Sequence, residues 1–378
     1  MNIIHFSDTH LGFSDLDIIN KDGINQREAD FYDAFSQVID EIIQNKPNYI
    51  IHTGDLFHRS NPSNRAITFC LEQLKRLEKY DIPFILIAGN HSTPKTIKNS
   101  PILKALKTIN NIYAVFNQEY EKIEFKDIIF HAIPHINDEK LINKHIEFCE
   151  KNIDKSKKNV LMLHCSVGAS YLMQEFGEWV YPKDKEYLFE QMDYVALGHW
   201  HGFGSINKKF PHVCYSGSLE RTSSNDKRND KGYVNIDLEE SCNIVFNEIN
   251  LRKTFIFEID CIDFEDNLHK IIEDSKKLEL KGSLLEIKLT NLSATQSIDI
   301  PNNYFNPHFE EVLHLSIKRE FLQKEQKMIE EDIKSISLQD YFVEQLGQNI
   351  KDKKELDRLQ KKIDILFGEY EEVYDDSL

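Results

Sequence analysis

The chain has 378 residues, 40% hydrophobic and 29% charged: a globular composition with material for two or three domains, and no run near the roughly 20 apolar residues of a membrane helix. Lys and Arg number 46 against 63 Asp and Glu, a net charge of −17. That balance excludes coating nucleic acid by global charge, but leaves room for a local basic groove or a site where metal ions supply the positive charge.

The N-terminus opens on the strand-like "NIIHF" without a basic stretch ahead of it, so no secretory signal is expected. The six cysteines stand singly with no CxxC spacing, as reduced thiols in the cytoplasm would. Up to about residue 250 strands alternate with helical periods. The strand-like runs are "NIIHFSD", "YIIHTGD", "PFILIAGN", "IIFHAIPH", "NVLMLHCS", "YVALGHW" and "HVCYSGS". Between them Phe31, Phe35, Val38, Ile39, Ile42 and Ile43 share one helical face, and Ile67, Leu71, Leu74 and Leu77 share another. This pattern predicts an α/β core covered on both faces, with ligand chemistry at the strand C-termini.

From about 251 to 316 a smaller strand–helix–strand unit follows: "TFIFEID", an amphipathic helix over about 265–278, and "SLLEIKLT". Beyond about 308 the charged and apolar periods read as helix to the acidic tail "GEYEEVYDDSL". There Leu356, Leu359, Ile363, Leu366 and Phe367 form a stripe suited to packing on the chain's own domain or on a partner.

Five strand exits carry ligand-type side chains: Asp8 and His10 in "FSDTH", Asp55 and His58 in "HTGDLFH", Asn90 and His91 in "GNH", His164 in "LMLHCS", and His199 and His201 in "LGHWH". One such residue means little; His5 and His52 on apolar strands read as satisfied core histidines. Five exits together are hard to ascribe to coincidence. Residues i and i+2 of an extended segment project to one side, so Asp8 with His10, and His199 with His201, can each face one centre. So many oxygen and nitrogen ligands exceed one open tetrahedral site and suit two cations sharing a bridging carboxylate. Carboxylate, amide and imidazole without thiolate favour Mn, Fe or Zn over Mg or Ca.

The ordered set D-x-H, G-D, G-N-H, H and G-H-x-H across residues 1–201 resembles the calcineurin-like metallophosphoesterases. "GDLFHRSNPS", "INQREADFYDAF" and "YSGSLERTS" narrow the resemblance to the Mre11/SbcD-type DNA nucleases. The resemblance implies an α/β fold: a four-layer α/β/β/α metallophosphoesterase sandwich over 1–250, a small α+β capping domain over 251–316, and a C-terminal helical ATPase-binding segment over 317–378. It implies that Asp8, His10, Asp55 and His201 hold one divalent ion and Asp55, Asn90, His164 and His199 the other, with manganese the expected metal. It casts His91 as the group facing the scissile phosphate, and His58 as orienting His91 or touching the phosphate. The implied activity is 3′→5′ exonuclease and hairpin or single-strand endonuclease on DNA, beside a Rad50/SbcC-like ATPase bound through the C-terminal helices, in a cytoplasmic homodimer with no membrane contact. The alternatives are a related phosphoesterase of small esters and a catalytically weakened scaffold for an ATPase. Ser92 departs from the pattern, which has Asp or Glu after G-N-H. Without a carboxylate to orient its neighbours, weaker metal binding or slower turnover is expected.

Overall fold

The computed structural model describes residues 1–93, 101–168, 179–223, 226, 230–322 and 359. The chain divides into two compact units, Met1–Arg252 and Lys253–Leu378.

Among the described residues, the first unit holds twelve strands in two six-stranded sheets. In the first sheet β1 (Asn2–Phe6), β2 (Tyr49–His52), β3 (Phe84–Ile87) and β4 (Ile112–Val115) run parallel. The sheet is extended by antiparallel β11 (Gly232–Asp237) and β12 (Asn243–Glu248) beside β1. In the second, β6 (Ile128–Ile133), β7 (Lys158–His164), β8 (Tyr194–Gly198) and β10 (Val213–Tyr215) are parallel. Antiparallel β5 (Glu121–Glu124) and β9 (Gly204–Ser205) close its edges. The seven expected strands are all present. β4, β5, β9, β11 and β12 are additions to that set. β5 and β12 lie at sheet edges, alternate exposed with half-buried residues, and so lack the continuous apolar run that marks an inner strand.

Three apolar cores separate four layers. Ile3, Ile51, Ile85, Phe130, Met162 and Val234 fill the space between the sheets. On the outer face of the first sheet lie helix α1 (Gln26–Asn45) and helix α2 (Asn64–Glu78), joined to it through Phe35, Val38, Ile42, Leu74 and Phe84. A short turn of helix, α3 (Leu103–Leu106), adds to the same core. The second sheet's outer face carries α4 (Glu139–Lys151), with Ile142, Ile146 and Leu161 in its core. The order is therefore helix, sheet, sheet, helix.

Sequence sets the helix limits locally. The Asn25 side chain accepts hydrogen bonds from the Arg27 and Glu28 amides, satisfying two orphan donors at the start of α1. Lys46 ends that helix in the left-handed conformation, its amide returning to the Ile42 carbonyl. Ser63 caps α2 by accepting from Ala66. A buried ion network then fastens α1 to distant segments. Arg27 pairs with Asp30 at 2.6 Å and Glu220 at 3.3 Å, and Arg252 pairs with Asp30 at 2.7 Å. The "INQREADFYDAF" and "YSGSLERTS" segments thus meet through their charged residues.

The second unit contains a three-stranded parallel sheet of β13 (Thr254–Asp260), β14 (Leu284–Leu292) and β15 (His314–Phe321). Helix α5 (Phe264–Ser275) connects the first two strands, and α6 (Ala294–Asp299) lies between the second and third. β15 corrects the expectation that the chain is helical beyond about 308, and it straddles the expected boundary at 316/317. Leu315 and Ile317 alternate toward the core shared with Ile287 and Leu289. The charged residues around them mimic a helical period, and only pairing with β14 reveals period two. Past Leu322 the expected helical segment lies outside the described residues except for Leu359, which is helical. Among the described residues, no helix is long and apolar enough to cross a membrane.

One buried polar bridge ties the two sheets. His5 on β1 meets Tyr194 Oη through Nδ1 and Thr53 Oγ1 through Nε2, both at 2.8 Å. His52 Nε2 meets Thr9 Oγ1 at 2.7 Å. Burial, reinforced by His52, pushes His5 down to about 3. The folded protein therefore keeps this ring neutral while the unfolded chain protonates it below about 6.5, so stability falls as pH drops through that value toward 3. The expected slope is about 1.4 kcal/mol per pH unit from this group. Nitrogen-detected NMR of the histidine rings checks this: His5 should remain neutral at pH 5, and an imidazolium signal there would refute it.

Candidate metal centre

The parallel strands of both sheets end at one edge, and the ligand-type residues sit just beyond them. Asp8 and His10 follow β1, Asp55 follows β2, Asn90 and His91 follow β3, His164 ends β7, and His199 and His201 follow β8. Asp8, His10, Asp55 and His199 all have positive φ, at 50°, 47°, 54° and 98°. Such backbone is costly for non-glycine residues and persists where the surrounding structure enforces it. Here backbone bonds do so: the Asp8 amide donates to the Gly54 carbonyl at 3.0 Å and the His10 amide to the Asp55 carbonyl at 2.9 Å.

The glycines next to these ligands are steric requirements. A Cβ on Gly54 would collide with the His164 ring, one on Gly89 with the Asp55 carboxylate, and one on Gly198 with the Thr53 carbonyl. The abrupt apolar-to-glycine endings of β3 and β8 thus give neighbouring strands room to bring their ligands together.

The ligand atoms fall into overlapping groups. Asp8, His10 and His201 form one, and Asp8, Asp55 and His164 another, each with its atoms within 4.8 Å of one another. Asp8 and Asp55 are buried, 0% and 2% exposed. The hydrogen-bond pattern shows where the lone pairs point. His164 Nδ1 faces the Thr53 carbonyl at 2.7 Å, which can only accept, so Nδ1 carries the hydrogen. Its Nε2 faces two more acceptors, Asn90 Oδ1 at 2.9 Å and Asp55 Oδ2 at 3.3 Å, a position for a proton or, on the neutral ring, for a lone pair turned to a cation. On the other side His201 Nδ1 meets the Asp226 carboxylate at 3.1 Å, leaving its Nε2 toward His10 Nε2 at 3.1 Å and Asp8 Oδ1 at 3.9 Å. Convergent acceptors repel unless a proton or a cation sits among them, so the donor set fits metal ions.

The titration behaviour has the same origin. Burial disfavours the charged form of Asp55, but His164, then His10 and His91, outweigh it and hold the carboxyl far below its ordinary range. Burial likewise opposes charge on His164, yet Asp55 pushes it up to about 9. His10 moves well below its ordinary value, chiefly by burial.

His91 and His58 stand together beside these groups. The His91 amide donates to Asp55 Oδ1 at 2.9 Å, and its Nδ1 meets the His58 carbonyl at 2.7 Å. The two rings stack at 5.3 Å, and the His58 ring is held edge-on by Phe13 at 5.0 Å. His91 therefore keeps its Nδ1 hydrogen on a carbonyl. His91, Asp55, Asn90, His199, Trp200 and His201 line an open cleft of about 410 Å³. Ser92 is fully buried, and its hydroxyl has no hydrogen-bond partner among the described residues, so it props none of the ligands.

Sequence reasoning missed several supporting residues. Asp226 and Thr222 fix His201, with Thr222 Oγ1 at 2.9 Å from its Nδ1. Ser7 donates to the Asp8 carboxylate. His135, whose amide donates to the Ala88 carbonyl at 2.8 Å, is pushed down to about 4 by burial and by His164. The "IIFHAIPH" exit was a signal for His135; Asp226, in a polar loop, gave none.

A four-layer sandwich whose strand ends converge carboxylate, amide and imidazole donors defines a metal-dependent phosphoesterase. The chain belongs to the calcineurin-like phosphoesterase family, whose model matches residues 1–203. It is 27% identical to the DNA double-strand break repair protein Mre11 of Methanococcus maripaludis over 387 residues, covering 99% of this chain and 95% of that protein. It is 34% identical to the Mre11 of Saccharolobus solfataricus over 203 residues, covering 53% of this chain and 49% of that protein. It is 27% identical to the SbcD component of the nuclease SbcCD of Staphylococcus epidermidis over 373 residues, covering 89% of this chain and 94% of that protein. The Mre11/SbcD resemblance drawn from the motifs holds in these similarities.

Removing the charge that orients His201 gives a direct test of its support. Asp226→Asn should weaken divalent-metal binding about 10–100-fold, measured by calorimetry, while leaving the fold intact by circular dichroism.

Proposed function

We propose that this chain is a two-metal DNA phosphodiesterase of DNA end processing, acting as 3′→5′ exonuclease and as endonuclease on hairpins and single strands. The observation that carries the reading is that Asp55, Asn90, His91, His199 and His201 line one cleft, while Asp8, His10 and His164 hold ligand-type atoms grouped with those of Asp55 and His201. The chain's similarity to Mre11 and SbcD proteins along most of its length supplies the substrate class.

Asp8, His10, Asp55 and His201 would hold one divalent ion and Asp55, Asn90, His164 and His199 the other, with manganese as the working metal. Bound there, the pair supplies an activated water and charge neutralisation of the phosphodiester. The chain's own groups do the rest. Asp55, as the shared carboxylate, has Oδ1 on the His91 amide and Oδ2 toward His164. Asn90 offers a neutral oxygen, which limits the negative charge facing the phosphate. His91 is aimed by the His58 carbonyl and ring, and its Nε2 donates a hydrogen bond to a non-bridging oxygen or gives a proton to the leaving oxygen. Asp226, Thr222 and Ser7 hold His201 and Asp8 at their angles.

With Mn²⁺ and end-labelled duplex, hairpin and single-stranded DNA, the wild type should release nucleotides, Asp55→Ala should show no detectable cleavage, and His91→Ala should be slowed about 10²–10⁴-fold. Turnover of p-nitrophenyl esters with no cleavage of any DNA would sink the nuclease reading in favour of a small-ester phosphoesterase.

The working assembly is a cytoplasmic homodimer with a Rad50/SbcC-like ATPase, gripped by the segment after β15. The similarity to the SbcD component of SbcCD and the apolar stripe of the sequence around Leu359 support the ATPase contact. Deleting residues 323–378 should abolish co-purification of the cognate ATPase; full retention would refute the assignment.

A further inference from the structure

Trp200 stands between His199 and His201, and its indole is 44% exposed in the wall of the metal cleft. The local structure holds the ring still. Indole Nε1 donates to Ser166 Oγ at 2.8 Å, and the ring packs against Tyr215 at 6.4 Å with an interplanar angle of 52°. Tyr215 is itself locked: its hydroxyl donates to the Cys165 carbonyl at 3.0 Å and accepts from the Val167 amide at 2.8 Å. The Ser166 amide is tied to the Trp179 carbonyl at 3.0 Å. A rigid aromatic platform therefore stands in the same cleft as Asn90, His91 and the two flanking histidines.

On the nuclease reading above, we infer that Trp200 stacks on a nucleobase next to the scissile phosphate and so sets a preference for unpaired nucleotides at the cleft. A base inside a duplex has both faces covered by its neighbours and must unstack to reach the indole, whereas an unpaired base offers its face at little cost. Stacking is indifferent to base identity, so the residue selects strand state and not sequence. The fixed indole loses little freedom on binding, which concentrates the benefit on the bound strand.

The chain has two tryptophans, and Trp179 is buried at 4% exposure, so ligand-dependent quenching reports Trp200. The test uses the full chain with Mn²⁺, a single-stranded deoxyoligonucleotide, and the same strand made abasic throughout. The normal strand should quench tryptophan emission and the abasic strand should not. Trp200→Ala should lower kcat/KM on the normal strand about 5- to 150-fold, the range that base–aromatic stacking contributes, with a much smaller loss on the abasic strand. Trp200→Phe should restore most of the difference. Equal losses on both strands, or no quenching by the normal strand, would overturn the stacking role while leaving the nuclease reading standing. Absence of wild-type cleavage on both strands would overturn the nuclease reading and this inference with it.

Discussion

Two buried carboxylates surrounded by imidazoles are the constraint on which the rest of this structure turns. Asp8 and Asp55 are withdrawn from water at the ends of adjacent parallel strands. His164 and His201 each spend one nitrogen on a fixed acceptor and point the other into the same space. Such an arrangement is unfavourable without positive charge at its centre. The fold sustains it through backbone bonds that hold Asp8 and His10 in positive φ, and through glycines that clear space for neighbouring ligand-type side chains.

The two-sheet architecture follows from the same need. Ligand-type residues come from the first sheet at β1, β2 and β3 and from the second at β7 and β8. Neither sheet alone could surround the centre. The sheets must therefore be held in register, and the interior between them is not purely apolar: His5, on the strand that leads to Asp8, bridges Thr53 and Tyr194. A buried polar bridge of this kind fixes relative position more sharply than apolar packing, because its groups lose their partners if the sheets slide. On the outer side, the Arg27, Asp30, Glu220 and Arg252 network fastens α1 to the segment that carries Thr222 toward His201. Structural charges and functional charges thus lie on one connected path.

Around the centre the chain holds two rings in fixed orientations. His91 is oriented by a main-chain carbonyl and a stacked ring. Trp200 is oriented by a hydroxyl and a locked tyrosine, which leaves its ring in the open cleft. In both cases the support comes from residues on other strands, so the positions of these groups depend on the sandwich being complete.

The sequence by itself determined the inner parallel strands, the two long amphipathic helices and the ligand-type residues, because a parallel strand buried on both faces is a bare apolar run and its polar exit stands out against it; the antiparallel inner strand β11 was not legible in this way. What it left ambiguous depended on distant partners. β15 carries a charged, helix-like composition and becomes a strand through pairing with β14. The edge strands β5 and β12 have too few buried residues to announce themselves. Asp226 looks like any loop carboxylate until the fold sets it 3.1 Å from His201 Nδ1. Ser92 reads from sequence as a missing charge, and the tertiary structure places it in the interior with no partner to orient among the described residues. Residue type and local period are written in the chain; which lone pairs converge, and which side chain steadies another, is decided only when strands far apart in sequence are brought to one edge.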